Sequence, residues 1–190
     1  LKFLIDGHRD RIALRAAQWP EGVAGQLLTP LTKYKIGHKT FAVDNGAFSE
    51  LKILGLKVLL DRDKFRKNDC LFVAIPDMVG SHEESWELFK RYNYIANGWR
   101  KAFVAQDGFA GTPGGIHALF IGGTTEFKDS DEAIAIVKFY KNIGLHIHIG
   151  RVNTLERFQR FHLAGADTCD GSGVSRYDHM LPAIRDGLSC

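Results

Sequence analysis

The sequence predicts an α/β chain closed into a compact (β/α)8 TIM barrel, and three observations carry that expectation. Short β-branched or aromatic runs alternate with longer amphipathic stretches, and each short run stops at a Gly, Asp or Gln where a loop begins. Repeated strand, helix, strand units force parallel strands, because a crossover returns right-handedly to the same sheet. No Gly-x-Gly-x-x-Gly follows the first run, so the signature of an open, dinucleotide-binding doubly wound sheet is missing. With 190 residues, the barrel is small beside the usual ~250 and has little room for insertions. No internal repeat or linker divides it, so residues 1–190 are expected to form a single domain.

In chain order, the clearest strands are expected at residues 2–5, 40–43, 71–75, 102–105, 118–121 and 146–149. Weaker ones at 23–26 and 166–169 complete the eight. A helix across 48–65, with a break near Gly55, follows the second clear strand. Ser81 with Glu84 reads as a capping box, after which Trp86, Phe89, Tyr92 and Ala96 recur at helical spacing. Asp129 with Glu132 opens the next helix, whose Ile134, Val137, Tyr140 and Ile143 share a face before Gly144 ends it. Asn153 with Glu156 opens another, carrying Leu155, Phe158 and His162 up to Gly165. Residues 108–115 are Gly-rich but lie between adjacent strands and read as a loop.

Composition narrows the classes. There are 25 Lys+Arg against 22 Asp+Glu, a net charge of +3, with 45% hydrophobic residues and only 5 Pro, which suits a packed domain and excludes a disordered or collagen-like chain. No run approaches the roughly 18 apolar residues of a membrane span, and residues 1–10 are too charged for a signal peptide, so a soluble cytoplasmic protein with no membrane partner is expected. Cys70, Cys169 and Cys190 are odd in number and show no Cys-x-x-Cys spacing, which speaks against a disulfide framework or structural zinc. Lys33, Lys35, His38 and Lys39 form one local basic cluster, and Lys64, Arg66 and Lys67 another.

In such a barrel the strand C-termini and the loops after them build the reactive face. There the sequence places Asp6, Gln26, Asp44-Asn45-Gly46, Asp77, Gln106-Asp107-Gly108, Gly122-Gly123-Thr124, Gly150-Arg151 and Asp170. Converging carboxylates either bind a cation or divide into a proton carrier and a permanent anion, whereas any single Asp can equally be an N-cap or turn residue. His146 and His148 share a strand face, a spacing that metal-dependent hydrolases use. They lie inside their strand, where barrel packing or a hydrogen bond is the competing role.

Several of these segments, in order, resemble the tRNA-guanine transglycosylase (queuine tRNA-ribosyltransferase) family. Asp44-Asn45-Gly46-Ala47-Phe48 resembles the family's Asp-Ser-Gly-Gly-Phe/Tyr, Gln106-Asp107-Gly108 its Gln-Gly-Gly, and Ile121-Gly122-Gly123 its Ile-Gly-Gly. Asp77 falls where a base-reading Asp sits. Residues 149–155 and 164–170 resemble its Met-Gly-Val-Gly-Thr-Pro segment and its Gly-Val-Asp-x-Phe-Asp. The resemblance implies a (β/α)8 barrel that exchanges guanine for a 7-deazaguanine, such as 7-cyano-7-deazaguanine, in a polynucleotide. It makes Asp170 the nucleophile and Asp44 the general acid and base. Asp77, Gln106 and the backbone at Gly122 and Gly123 would read the base edge, while Phe48 and Ile149 would sandwich its faces. Two-carboxylate chemistry of this kind takes no metal and no cofactor.

The family's zinc subdomain, with its Cys-x-Cys-x-x-Cys, has no counterpart in the 190 residues. That resembles the short phage and bacterial branch that modifies DNA, and makes DNA rather than tRNA the expected nucleic-acid partner, in a bacterial or phage-infected cell. The two basic clusters, with Arg176 and Arg185, are expected to hold phosphates. A homodimer is a further expectation, since family members commonly pair. Two other readings make different demands. A metal-dependent hydrolase would draw on Asp6, Asp77, His146, His148 and Asp170, and a non-catalytic base-binding module would keep the pocket without turnover.

Overall fold

A computed structural model of the chain describes residues 1–173; Arg176, Arg185 and Cys190 lie outside them. Eight parallel strands close in sequential order: β1 (Lys2–Asp6), β2 (Ala24–Leu28), β3 (Phe41–Val43), β4 (Cys70–Ala74), β5 (Lys101–Ala105), β6 (Ala118–Ile121), β7 (His146–Ile149) and β8 (Thr168–Asp170). β8 pairs back onto β1, with Leu4 beside Asp170. The fold is therefore the (β/α)8 barrel expected from the alternation.

Strand pleating divides the apolar residues into two layers. Leu4, Leu27, Ala42, Phe72, Ala74, Ala102, Val104, Ala118 and Phe120 form a cluster made of strand residues alone, which fills the barrel interior. Four alanines leave room for two large rings, and Phe72 and Phe120 meet edge to face with centroids 6.1 Å apart. The alternate strand residues, among them Phe3, Phe41, Phe103, Ile147 and Ile149, face outward and pack with helix residues such as Ile12, Leu56, Val137 and Phe158.

The described helices are α1 (Arg9–Ala16), α2 (Ile53–Asp63), α3 (His82–Tyr92), α4 (Thr125–Asp129), α5 (Asp131–Asn142) and α6 (Leu155–Leu163). Ser81 caps α3 as expected, its hydroxyl accepting from the Glu84 N–H at 3.3 Å. The expected caps of α5 and α6 are each displaced by one residue, to Ser130 and Thr154. Asp129 is instead the last residue of α4 and takes both arms of Arg157, at 2.9 and 2.8 Å. The Asn153 amide oxygen accepts from the Gly173 N–H. α2 begins later than expected and runs unbroken through Gly55. A Cβ at Gly55 would sit 3.2 Å from Pro30 Cβ, so the glycine allows a close approach to the β2–β3 loop.

Among the described residues, the β2–β3 and β5–β6 connections carry no helix. Those two bare connections explain how so short a chain still closes eight strands. No helix of the described residues is long and apolar enough to cross a membrane.

Candidate active site at the C-terminal mouth

At the strand C-termini a pocket of about 440 Å³, counting the open space at its mouth, is lined by Asp44, Phe48, Asp77, Gln106, Gly122, Gly123, Arg151 and Asp170, with Val104 and Phe120 among the apolar residues. Seven of the eight residues expected from the sequence border it.

Ile149 is the exception. It is fully buried in the outer layer with the helices, because the pleat that turns His146 and His148 inward turns Ile147 and Ile149 outward. The residue that reaches over Phe48 is Arg151, its guanidinium carbon 4.1 Å from the ring centroid. Phe48 itself is 63% exposed at the rim.

Asp77, 6% exposed, sits in a hydrogen-bonded frame. Asn45 donates to one carboxylate oxygen at 2.7 Å and Gln106 to the other at 2.5 Å. Asn45 is fixed in turn by Ile75 O and the Ala47 N–H. The Gln106 amide oxygen accepts from the Gly80 and Gly123 N–H groups. Burial nonetheless raises the Asp77 pKa to about 6, against these hydrogen bonds.

Gly122 and Gly123, whose backbone is expected from the resemblance to read a base edge, border the pocket with their N–H groups turned to partners within the protein. Those groups are already bonded to Ala105 O and to Gln106 Oε1. What Gly122 supplies is clearance, since a Cβ there would lie 2.6 Å from Gln106 Nε2. The two glycine carbonyls accept from Lys128 Nζ, and that of Gly123 also from Arg151. Lys128 is 1% exposed. Its burial and the nearby Arg151 and Arg157 lower its pKa to about 8.

Asp170 ends β8. One carboxylate oxygen lies 2.9 Å from His148 Nε2, and the other accepts from the Arg151 N–H at 3.2 Å. Arg151 holds φ at +58°, the left-handed region that costs a non-glycine residue about 1–2 kcal/mol. That turn aims both its N–H at Asp170 and its guanidinium over Phe48. Behind Asp170, His148 Nδ1 and His146 Nε2 each lie 2.9 Å from Thr168 Oγ1, forming a polar string inside the barrel. Burial pushes His146 down to about 4.

The pair whose spacing a metal-dependent hydrolase could use is thus engaged in hydrogen bonds with Thr168 and Asp170, the competing role read from the sequence. Among the described residues no group of three or more His, Cys, Asp or Glu is arranged to hold a metal. Asp6 ends β1 and Asp107 lies two residues past β5, at the same mouth, but neither lines the pocket. Asp107 ties two loops together by accepting from the Thr124 N–H and hydroxyl, and although burial opposes it, these bonds hold its carboxyl below the usual range.

Asp44 is the third carboxylate that lines the pocket. Burial first, then the charges of Asp170 and Asp77, raise its pKa to about 7. Folded Asp44 thus keeps its proton to about pH 7, while the unfolded chain releases it near 3.8. Between those values the folded state holds more protons, so this group makes stability fall as pH rises. We therefore expect Asp44→Asn to raise Tm relative to the native protein by more at pH 8 than at pH 4.5. Thermal melts at the two pH values check this, and a gap independent of pH would contradict it.

The sequence places Asn45 and Arg151 among its strand-end residues but gives neither a role of its own, and it gives Lys128 no signal. Asn45 looks like an ordinary turn residue, Lys128 like a solvated helix lysine, and Arg151 like a residue just past a strand end.

No family model matches the chain, and no curated protein matches it. Among solved structures, 124 chains match. One of them, described as "Native KDPGal structure", aligns with a TM-score of 0.50 and 13% identity over 100% of this chain and 95% of its own. That likeness concerns the fold. Fold and site together define the class: a (β/α)8 barrel with a carboxylate-lined pocket at its C-terminal mouth, where enzymes built on this barrel carry their active sites.

Proposed function

We propose that the protein is a base-exchange pentosyltransferase, which replaces guanine by a 7-deazaguanine such as 7-cyano-7-deazaguanine in a polynucleotide, DNA ahead of tRNA. The observation that carries this reading is the division of labour between two carboxylates in one pocket. Burial and neighbouring charges favour the protonated form of Asp44 up to about pH 7, while Asp170, fixed by a histidine and a backbone N–H, is assigned the nucleophile's part.

In the first half-reaction an Asp170 oxygen attacks C1′ of the sugar. The bond from C1′ to the base nitrogen breaks, and Asp44 gives its proton to the departing guanine. In the second, Asp44 takes a proton from the incoming base, whose freed nitrogen attacks C1′ and releases Asp170 as carboxylate. Two inversions return the original configuration, as in retaining glycoside chemistry. Asp77 offers its remaining lone pairs to the N–H groups on a guanine edge, and Gln106 keeps one amide N–H for an acceptor. Phe48 and Phe120 supply apolar contact, so a base in the pocket meets both hydrogen-bonding partners and carbon surface. The target base has to leave its stack to enter, which costs a few kcal/mol in a duplex.

The test is incorporation of labelled 7-cyano-7-deazaguanine or guanine into DNA and, in parallel, into tRNA. Incorporation into either polymer is the expected result, and the labelled one names the substrate. Because the first half-reaction needs Asp44 protonated, its single-turnover rate should decline above about pH 7. Absence of incorporation into both polymers from pH 5 to 8 would overturn the proposal.

A further inference from the structure

Of the two basic clusters in the sequence, the structure brings only Lys33 and Lys35 near the mouth; His38 and Lys39 lie just before β3, in a hollow with Lys2 and Ala24 at the strand starts. Lys64, Arg66 and Lys67 lie in the short 3-10 helix Lys64–Asp69 that leads into the start of β4, at the opposite end of the barrel. Arg66 is moreover paired with Asp69 at 2.6 Å. Lys33 and Lys35 lie in the β2–β3 connection, where no helix covers the barrel. With His8, Arg9 and Tyr34 they line a groove of about 800 Å³, counting its open side.

Its walls are held in place. Gln26, fully buried on β2, donates to Gly7 O at 3.2 Å and to Lys35 O at 3.0 Å, and its amide oxygen accepts from the Gly37 N–H at 2.7 Å. A single amide thus ties the chain leaving β1 to the loop leaving β2. Arg62 fixes the same loop by donating to Tyr34 O at 3.0 Å. Gly37 packs so closely on Arg9 that a Cβ would come within 2.7 Å of Arg9 Cβ. The exposed face presents Arg9, Lys33 and Lys35, with Tyr34 edge-on to His8 at 6.3 Å. One carboxylate, Asp10, contacts the groove's His8 at 3.4 Å.

The loop that lines the groove also reaches the pocket's wall, for Leu31 packs on Gly46 in the turn that carries Asp44 and Phe48. The cations of the pocket rim are otherwise engaged: Lys128 on the Gly122 and Gly123 carbonyls, Arg151 on Gly123 and Phe48, Arg157 on Asp129.

We propose that the groove between the β1–α1 and β2–β3 connections holds the phosphodiester backbone of the strand whose base enters the pocket. Arg9, Lys33 and Lys35 contact phosphates, and Tyr34 offers a ring for a neighbouring base to stack on. Cations beside an aromatic ring are what single-strand binding requires. The choice of ligand rests on the base-exchange reading above, whereas the groove's preference for a polyanion rests on its own residues.

The test is fluorescence anisotropy of a fluorescein-labelled single-stranded DNA oligonucleotide, with native protein and an Arg9→Glu/Lys33→Glu/Lys35→Glu variant. All three side chains are exposed, so the variant should melt like the native protein. Expected are a loss of affinity of about tenfold or more and a salt slope shallower by about 2, from three contacts at ~0.7 each. Binding of free 7-cyano-7-deazaguanine, followed by calorimetry, should not change. Equal oligonucleotide affinity in both proteins overturns the proposal. Inorganic phosphate that displaces the oligonucleotide at equal concentration would assign the groove to free phosphate and also overturn it. If the variant binds DNA more weakly but the native protein exchanges no base, the groove stands and the exchange reading fails. The converse result separates them the other way.

Discussion

Asp170→Asn should abolish the base exchange proposed above, lowering the rate by about 10⁴-fold or more, while leaving the fold and the pocket intact. The scale is that of losing a nucleophile whose partners remain in place. Asn keeps the shape of the side chain, and its amide oxygen can still accept from His148 or from the Arg151 N–H. It cannot form the ester that carries the sugar between two bases. Binding of free base should therefore persist, since the Asp77, Asn45 and Gln106 frame lies on other strands. A merely structural role for Asp170 would give a different result, with base affinity and Tm falling together and residual exchange scaling with folded protein.

The largest expected loss of stability follows Phe72→Ala, at about 3–5 kcal/mol, or a drop in Tm of roughly 10 °C. Phe72 is fully buried in the barrel interior. Its ring lies 6.1 Å from Phe120 and 4.9 Å from the His148 ring, centroid to centroid. Its loss leaves a void that rigid strands cannot collapse, directly beside the histidine that holds Asp170. Exchange should thus fall at temperatures where the variant is still folded. Phe65→Ala is the control: Phe65 is 79% exposed, and its removal should cost about 0.5 kcal/mol or less. Denaturant melts of the two variants decide this, and equal losses would contradict the packing described.

The barrel was legible because its strands obey one simple rule, apolar runs that end at turn or polar residues. β2 and β8 were faint for physical reasons. β2 contains Gly25 and the buried clamp Gln26, and β8 is Thr-Cys-Asp, equal in length to the clearer β3 but without its aromatic and aliphatic residues. α1 gave no recognisable start because its N-cap is His8, whose ring nitrogen accepts from the Asp10 N–H. The helix starts at Ser130 and Thr154 each lie one residue past a second good capping residue, and only the tertiary partners of Asp129 and Asn153 distinguish them.

At the site, the strand-end rule found Asp44, Asp77, Gln106 and Asp170 without knowledge of contacts. Ile149 shows where motif matching and pleating conflict. If His146 and His148 face inward, Ile149 faces outward, and the pleat prevails. Arg151 and Lys128 were illegible because their roles depend on a left-handed backbone turn and on a burial that no spacing announces.

The central claim is that Asp170 forms a bond to the sugar, and the direct measurement is mass spectrometry of the denatured protein after incubation with oligonucleotide in the absence of incoming base. The expected result is an adduct of the protein with the abasic strand, mapped to the peptide that contains Asp170, absent from Asp170→Asn and discharged by added 7-cyano-7-deazaguanine. Exchange that proceeds with no adduct on Asp170, or that survives in Asp170→Asn, would contradict the account.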